Sequence, residues 1–232
     1  MSTVHLLCAG AAKGLVEALL SRMHELTGAR VQGRYGAVGA MQEALLAAEP
    51  CDLMVVTDAM VDALVASGAL RGQPRAPLGR VRTGIAVRAG QPQPDVGSGH
   101  ALRAALLAAD TIYFPDPLRA TAGIHFAAVM RELGVHDDLQ SRFRTYPNGA
   151  TAMRELAAAG TPNPIGCTQV TEINYTPGVS LVAALPQGFE LVTVYTAALA
   201  TAAASPEAAA QLLALLTGSE SLSLRREGGF EA

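Results

Sequence analysis

Val4-His-Leu-Leu-Cys-Ala-Gly-Ala-Ala-Lys-Gly14 is an apolar run that breaks into a turn of small residues. Behind it Leu15, Val16, Leu19, Leu20, Met23 and Leu26 recur at helical spacing. The same join of strand pattern, small-residue turn and helix pattern occurs at Gly33-Arg-Tyr-Gly-Ala-Val-Gly39 and at Pro115-Asp-Pro-Leu-Arg-Ala-Thr-Ala-Gly123. Strands that alternate with helices predict a parallel sheet covered on both faces. A helix start leaves its first backbone N–H groups without intrahelical partners, and the peptide dipoles add partial positive charge there. Small residues let a ligand approach those donors, so each turn reads as a socket for an anion.

Outward from these turns the alternation continues. Strands are expected over residues 4–8, 31–35 and 53–56. Helices follow from 15 to a stop at Gly28, over 41–48 and over 58–67. Residues 71–78, rich in Gly, Pro and Arg, read as a surface loop before a strand at 83–88. A second series follows: helix 101–109, strand 111–114, helix 122–133, strand 143–146, helix 150–158 and strand 165–169. Strands at 179–185 and 191–198 and a helix at 206–216, with Ser205 as N-cap and Pro206 in its first turn, complete the chain. The unit thus occurs twice. The expected fold is α/β, two Rossmann-like lobes with a central cleft, joined by two crossing strands. Lobe 1 would hold residues 1–82 and 197–232, and lobe 2 residues 83–196.

Composition narrows the partners. Half of the 232 residues are apolar and 16% are charged, which fits a packed globular chain. A net charge of −3 supplies no electrostatic footprint for nucleic acid, and the absence of Trp removes the best stacking surface for bases. No apolar run reaches the length of a membrane span, so no membrane insertion is expected. The chain enters its first strand without a leader pattern, which as written points to the cytoplasm; a leader removed beforehand would make it periplasmic. Cys8, Cys51 and Cys167 have no metal-ligand spacing, nor do the five histidines, so no metal and no cofactor is expected. Cys8 and Cys51 read as core thiols, and Cys167 stands out because a polar stretch follows it.

The ligand candidates sit at the turns. Ala12, Lys13 and Gly14 enter the first helix, and a cation there opposes the helix dipole unless it meets an anion. Gly36, Ala37 and Val38 offer backbone donors at the second turn. Thr57 ends a strand at the edge where open α/β sheets bind ligands, and Asp58 reads as the cap of the next helix. In the second series the candidates are Arg119, Thr121 as N-cap, Ala122, Asn148, Gly149 and Gln169. Glu172, in the polar run after Cys167, reads as a carboxylate placed for acid/base work beside a bound anion, and His125 lies in the helix after the third turn.

These segments resemble a known family. Gly36-Ala-Val-Gly-Ala-Met41, Cys51-Asp-Leu-Met-Val-Val-Thr57 and Gly84-Ile-Ala-Val-Arg-Ala-Gly-Gln-Pro-Gln-Pro-Asp95 are similar to the molybdate-binding, type 2 periplasmic solute-binding proteins. So are Asp116-Pro-Leu-Arg-Ala-Thr-Ala-Gly-Ile124 and Gln169-Val-Thr-Glu172. The resemblance implies the type 2 periplasmic-binding-protein fold and a small anionic ligand. Where molybdate binders place serine hydroxyls, this chain has Lys13 or Gly14 and Ala37 or Val38, and Gln169 replaces a tyrosine. Loss of those hydroxyls implies an organic (poly)carboxylate in place of molybdate. A branch resembling aconitate isomerase implies an alternative, an enzyme moving a double bond in a tricarboxylate with Glu172 and Lys13 as catalytic residues. An oxyanion-binding component of an ABC transporter is a further alternative implied by the family.

Overall fold

A computed structural model describes residues 2–232, which divide into two compact units, one of residues up to Val81 with Thr193–Ala232 and the other Arg82–Val192. The first opens with β1 (Thr3–Ala9), a single tight helical turn (Gly10–Ala12) and α1 (Lys13–Thr27). Then come β2 (Arg30–Gly36), α2 (Val38–Leu46), β3 (Leu53–Thr57), α3 (Asp58–Ala66) and the start of β4 (Leu70–Arg88). Gly28 ends α1 at φ +67°, a backbone conformation that costs a side-chain-bearing residue more, with its N–H on the His24 carbonyl at 2.8 Å.

β1 is flanked by β2 and β3, both parallel to it; β9 (Val192–Ala200) returns and pairs antiparallel with β3. α9 (Pro206–Thr217) and α10 (Leu222–Gly228) complete the first unit. Its interior holds Leu6, Leu15, Met23, Met41, Leu53, Leu212 and Leu216, each buried, from the apolar faces of the strands and helices above. The apolar positions of α1 foreseen at helical spacing are split by this packing, since Leu15, Val16, Leu19 and Met23 face inward and Leu26 faces out.

The second unit contains α4 (Gly99–Ala108), β5 (Thr111–Pro115), α5 (Thr121–Glu132), α6 (His136–Leu139), β6 (Phe143–Tyr146) and α7 (Gly149–Ala157). β7 (Pro164–Gln169), α8 (Val170–Asn174) and β8 (Val179–Ala184) follow. β5 lies between β6 and β7, parallel to both, while the end of β4 pairs antiparallel with β7 and β8. Alternation along the strands builds two apolar layers. Ile85, Val87, Ile165 and Cys167 face Leu102 and Leu106 of α4 and Phe126 and Val129 of α5. Ala86 and Tyr113 belong to a layer with Ala152, Met153 and Leu156 of α7 and Ile173 of α8.

Some expectations are corrected. The Gly- and Pro-rich residues 71–78 are extended backbone within β4 instead of a loop. The run after Cys167 stops being a strand at Gln169, and Glu172 lies in α8. Thr57, not Asp58, caps α3 by accepting the Met60 N–H at 3.4 Å. Ala120, not Thr121, is the N-cap of α5. Ser205 occupies the N-cap of α9, but its hydroxyl turns to the Thr3 carbonyl at 3.0 Å and makes no cap bond.

Asp52 explains that last choice. It is 1% exposed, and its two carboxylate oxygens accept the N–H groups of His5 and Ser205, each at 2.7 Å. One side chain thereby ties β1 and the entry to α9 to the residue before β3. Charge-assisted bonds to buried backbone donors are strong, and removing the acceptor orphans both. Asp52→Ala is expected to lower unfolding free energy by about 3 kcal/mol, read by urea titration; a loss under about 1 kcal/mol would contradict this role.

Candidate functional site

In the first unit β1, β2 and β3 run in one direction, with Ala9 beside Gly36 in register. The starts of α1, α2 and α3 therefore share the carboxyl edge of one sheet, the edge at which open α/β sheets take ligands. This brings Ala12, Lys13, Gly14, Gly36, Ala37, Val38 and Thr57 to a common edge. Ala12, Gly36, Ala37 and Val38 are buried, so what they can offer is backbone. Neither α1 nor α2 has a side-chain cap, and neither carries an acidic residue in its first turn. α3 differs: Thr57 caps it, and Asp58 accepts the Thr196 hydroxyl at 2.7 Å.

Lys13 opens α1 with its side chain about one third exposed. Its ammonium lies 5.6 Å from the Tyr35 ring centroid and 3.6 Å from Glu17. The ring face attracts a cation, and an exposed ion pair adds little, so the charge is held in place without being cancelled. The Lys13 to Glu17 step of four residues was visible in the sequence; the Tyr35 contact needed the parallel register of β1 and β2.

In the second unit β5, β6 and β7 end at Pro115, Tyr146 and Gln169 on one edge. α5 starts there without a side-chain cap or an acidic first-turn residue. Arg119 is exposed on the turn, Thr121 is half-buried as the first helical residue, and Ala122 is buried. A Cβ on Gly123 would stand 2.2 Å from the Pro115 carbonyl oxygen, so only glycine lets this helix start so close beneath the strand end.

α7 begins on the same edge, yet its donors are already engaged. Asn148 accepts the Thr151 N–H at 2.9 Å. The buried Glu172 carboxylate accepts the Thr168 hydroxyl at 2.5 Å and backbone N–H groups of Gly149, Ala150 and Gln169. A Cβ on Gly149 would lie 2.0 Å from Glu172 Oε2 and 1.9 Å from Thr168 Oγ1, so the carboxylate reaches the helix only because residue 149 is glycine. Burial pushes the Glu172 carboxyl above its ordinary value, and the four donors pull it part of the way back. Glu172 is thus engaged within the fold, its carboxyl group accepting from the start of α7 and the end of β7. Asn148 and Gly149 are correspondingly occupied within the fold.

Other candidates are also engaged. His125 Nε2 donates to the Phe189 carbonyl at 2.8 Å. Cys167 is wholly buried and its thiol is held well above the ordinary pKa by desolvation, which removes the nucleophilic reading. Burial raises Cys8 likewise, and pushes Cys51 up to about 12. Among the described residues no cluster of three or more His, Cys, Asp or Glu could hold a metal ion, and no helix is long and apolar enough to cross a membrane.

With this geometry in view, comparison with known proteins defines the class. The chain matches the family of bacterial extracellular solute-binding proteins over residues 4–231 and belongs to it. Its fold is that of periplasmic binding proteins. It is similar to the periplasmic molybdate-binding protein of Azotobacter vinelandii, with a TM-score of 0.81 and 17% identity over 99% of each chain. It is also similar to the sulfate-binding protein of Mycobacterium tuberculosis, with a TM-score of 0.75 and 16% identity over 99% of this chain and 86% of that one. In sequence it is similar to an aconitate isomerase from a Pseudomonas species, 26% identical over 184 residues, 79% of this chain and 68% of that protein.

Gly149→Ala is expected to destabilise the chain by more than about 2 kcal/mol, since the carboxylate must retreat from α7. Lys13→Ala should stay within about 0.5 kcal/mol of the parent because its contacts are exposed. Urea unfolding of both variants tests the contrast; equal losses would mean that Glu172 is not the structural anion of α7.

Proposed function

We propose that this chain is a solute-binding protein for a small organic polycarboxylate, with the uncapped starts of α1 and α2 as candidate ligand donors in the first unit and the uncapped start of α5, Arg119, Thr121 and Gln169 as candidates in the second. The observation that carries the reading is a division among helix starts. Thr57, Ser98 and Asn148 cap α3, α4 and α7, whereas the three helices behind the small-residue turns have neither a cap nor a first-turn acid. An anion satisfies such donors with favourable dipole energy. Lys13 adds a full charge at the first of them. The α1 and α2 starts bring no hydroxyl of their own, which favours a carboxylate over a tetrahedral oxyanion that needs donors on every side. The sequence relative named for aconitate points to the same chemistry.

A second reading, isomerisation of a tricarboxylate, has that relative as its support. It needs a group that removes a proton next to a carboxylate and returns one. Asp58, His125 and Glu172 each have a committed partner, so Lys13 is the acid/base candidate best suited to the role.

A thermal-shift series with citrate, cis-aconitate, trans-aconitate, sulfate and molybdate tests both. The tricarboxylates are expected to raise Tm, and Lys13→Ala to weaken their binding about tenfold with little change in ligand-free Tm. Stabilisation by molybdate alone would overturn the carboxylate reading in favour of an oxyanion carrier for an ABC transporter. Ultraviolet absorbance of trans-aconitate held with the protein decides between binding and turnover.

A further inference from the structure

We infer that the hydroxyl of Thr83 is a solute-binding donor on the α5 side of the second unit's carboxyl edge. This rests on the anion-binding reading above and names a contact that the sequence did not suggest.

Thr83 is 1% exposed, and its Oγ1 is buried without a hydrogen-bond partner. Its backbone is fully used, the N–H on the Leu191 carbonyl and the carbonyl on the Leu185 N–H, both at 3.0 Å. Only the hydroxyl is left over. Other buried threonines in this unit behave differently: Thr111 pairs with Thr161, Thr168 with Glu172 and Thr176 with the Glu172 carbonyl. A buried hydroxyl without a partner is rare because it has given up water for nothing.

Its place in the sheet says what it could meet. Thr83 stands opposite Gln169 in the β4–β7 register, and side chains two residues apart along a strand share a face. Ile85 and Cys167, the next positions on that face, pack against Phe126, Val129 and Met130 of α5. Thr83 and Gln169 thus lie one step beyond the apolar layer, at the end of β7 and on the face that α5 covers. α5, whose start has neither a side-chain cap nor a first-turn acid, begins on the same edge. Two residues past Gln169, Thr171 Oγ1 is also buried and unpartnered. Thr83 on β4 thus offers a hydroxyl donor to an oxygen of an anion bound at the start of α5.

The test is calorimetric titration of citrate, trans-aconitate and molybdate into the parent chain, Thr83→Val and Thr83→Ser, with ligand-free Tm for each. Thr83→Val should lose about tenfold in affinity for whichever anion the parent binds, and Thr83→Ser should stay within about threefold. Ligand-free Tm of Thr83→Val should equal or exceed that of the parent, because an unpartnered hydroxyl has been removed. Unchanged affinity in Thr83→Val, or a fall in its ligand-free Tm or failure to fold, would overturn the inference and make Thr83 a structural residue. A parent chain that binds none of the three anions would overturn the proposed function itself, a result separable from any variant.

Discussion

Backbone amides at helix starts are the constraint around which this molecule is arranged. The starts of α1, α2, α3, α5 and α7 turn N–H groups toward the carboxyl edge of parallel strands, and each must find an acceptor. The chain answers some from within, through Thr57 at α3, Ser98 at α4, and Asn148 with Glu172 at α7. It leaves α1, α2 and α5 unanswered by side chains. Stability and binding thus draw on the same chemical group, and what separates them is whether the acceptor is part of the chain.

Two buried carboxylates show how the internal answers are built. Asp52 accepts from β1 and from the entry to α9, far in sequence from one another, while Glu172 accepts from α7 and the end of β7. Each gathers backbone donors from separate segments, and each sits where an apolar residue would leave several N–H groups without partners. In the second unit this fills the start of α7 and leaves that of α5 without a side-chain acceptor.

Much of the fold was readable because its signals are local. Apolar periodicity marked the β–α alternation, and Gly28 marked the end of α1. The three small-residue turns marked where α1, α2 and α5 begin, although the lack of a cap at α5 was not foreseen. Non-local features were not readable. Gly149 looked like a ligand donor, because nothing in its neighbourhood announces that a glutamate 23 positions later will fill the space a Cβ would occupy. Thr83 looked like one more strand threonine, since its isolation depends on what lies across the sheet. α8 was missed because it is a single short helix that follows a strand without an intervening turn. Residues 71–78 were misread because Gly and Pro mark loops in most settings, whereas here they lie in extended backbone of a long strand.

The turn before α5 has one more property. Leu118 is 83% exposed there, whereas Cys8, Cys51 and Cys167 are all buried. A cysteine introduced at 118 would be the lone accessible thiol among the described residues, so an environment-sensitive dye could be attached there without disturbing the wild-type thiols. The same burial that makes the natural cysteines inert leaves the protein ready to be turned into an optical reporter of its own solute.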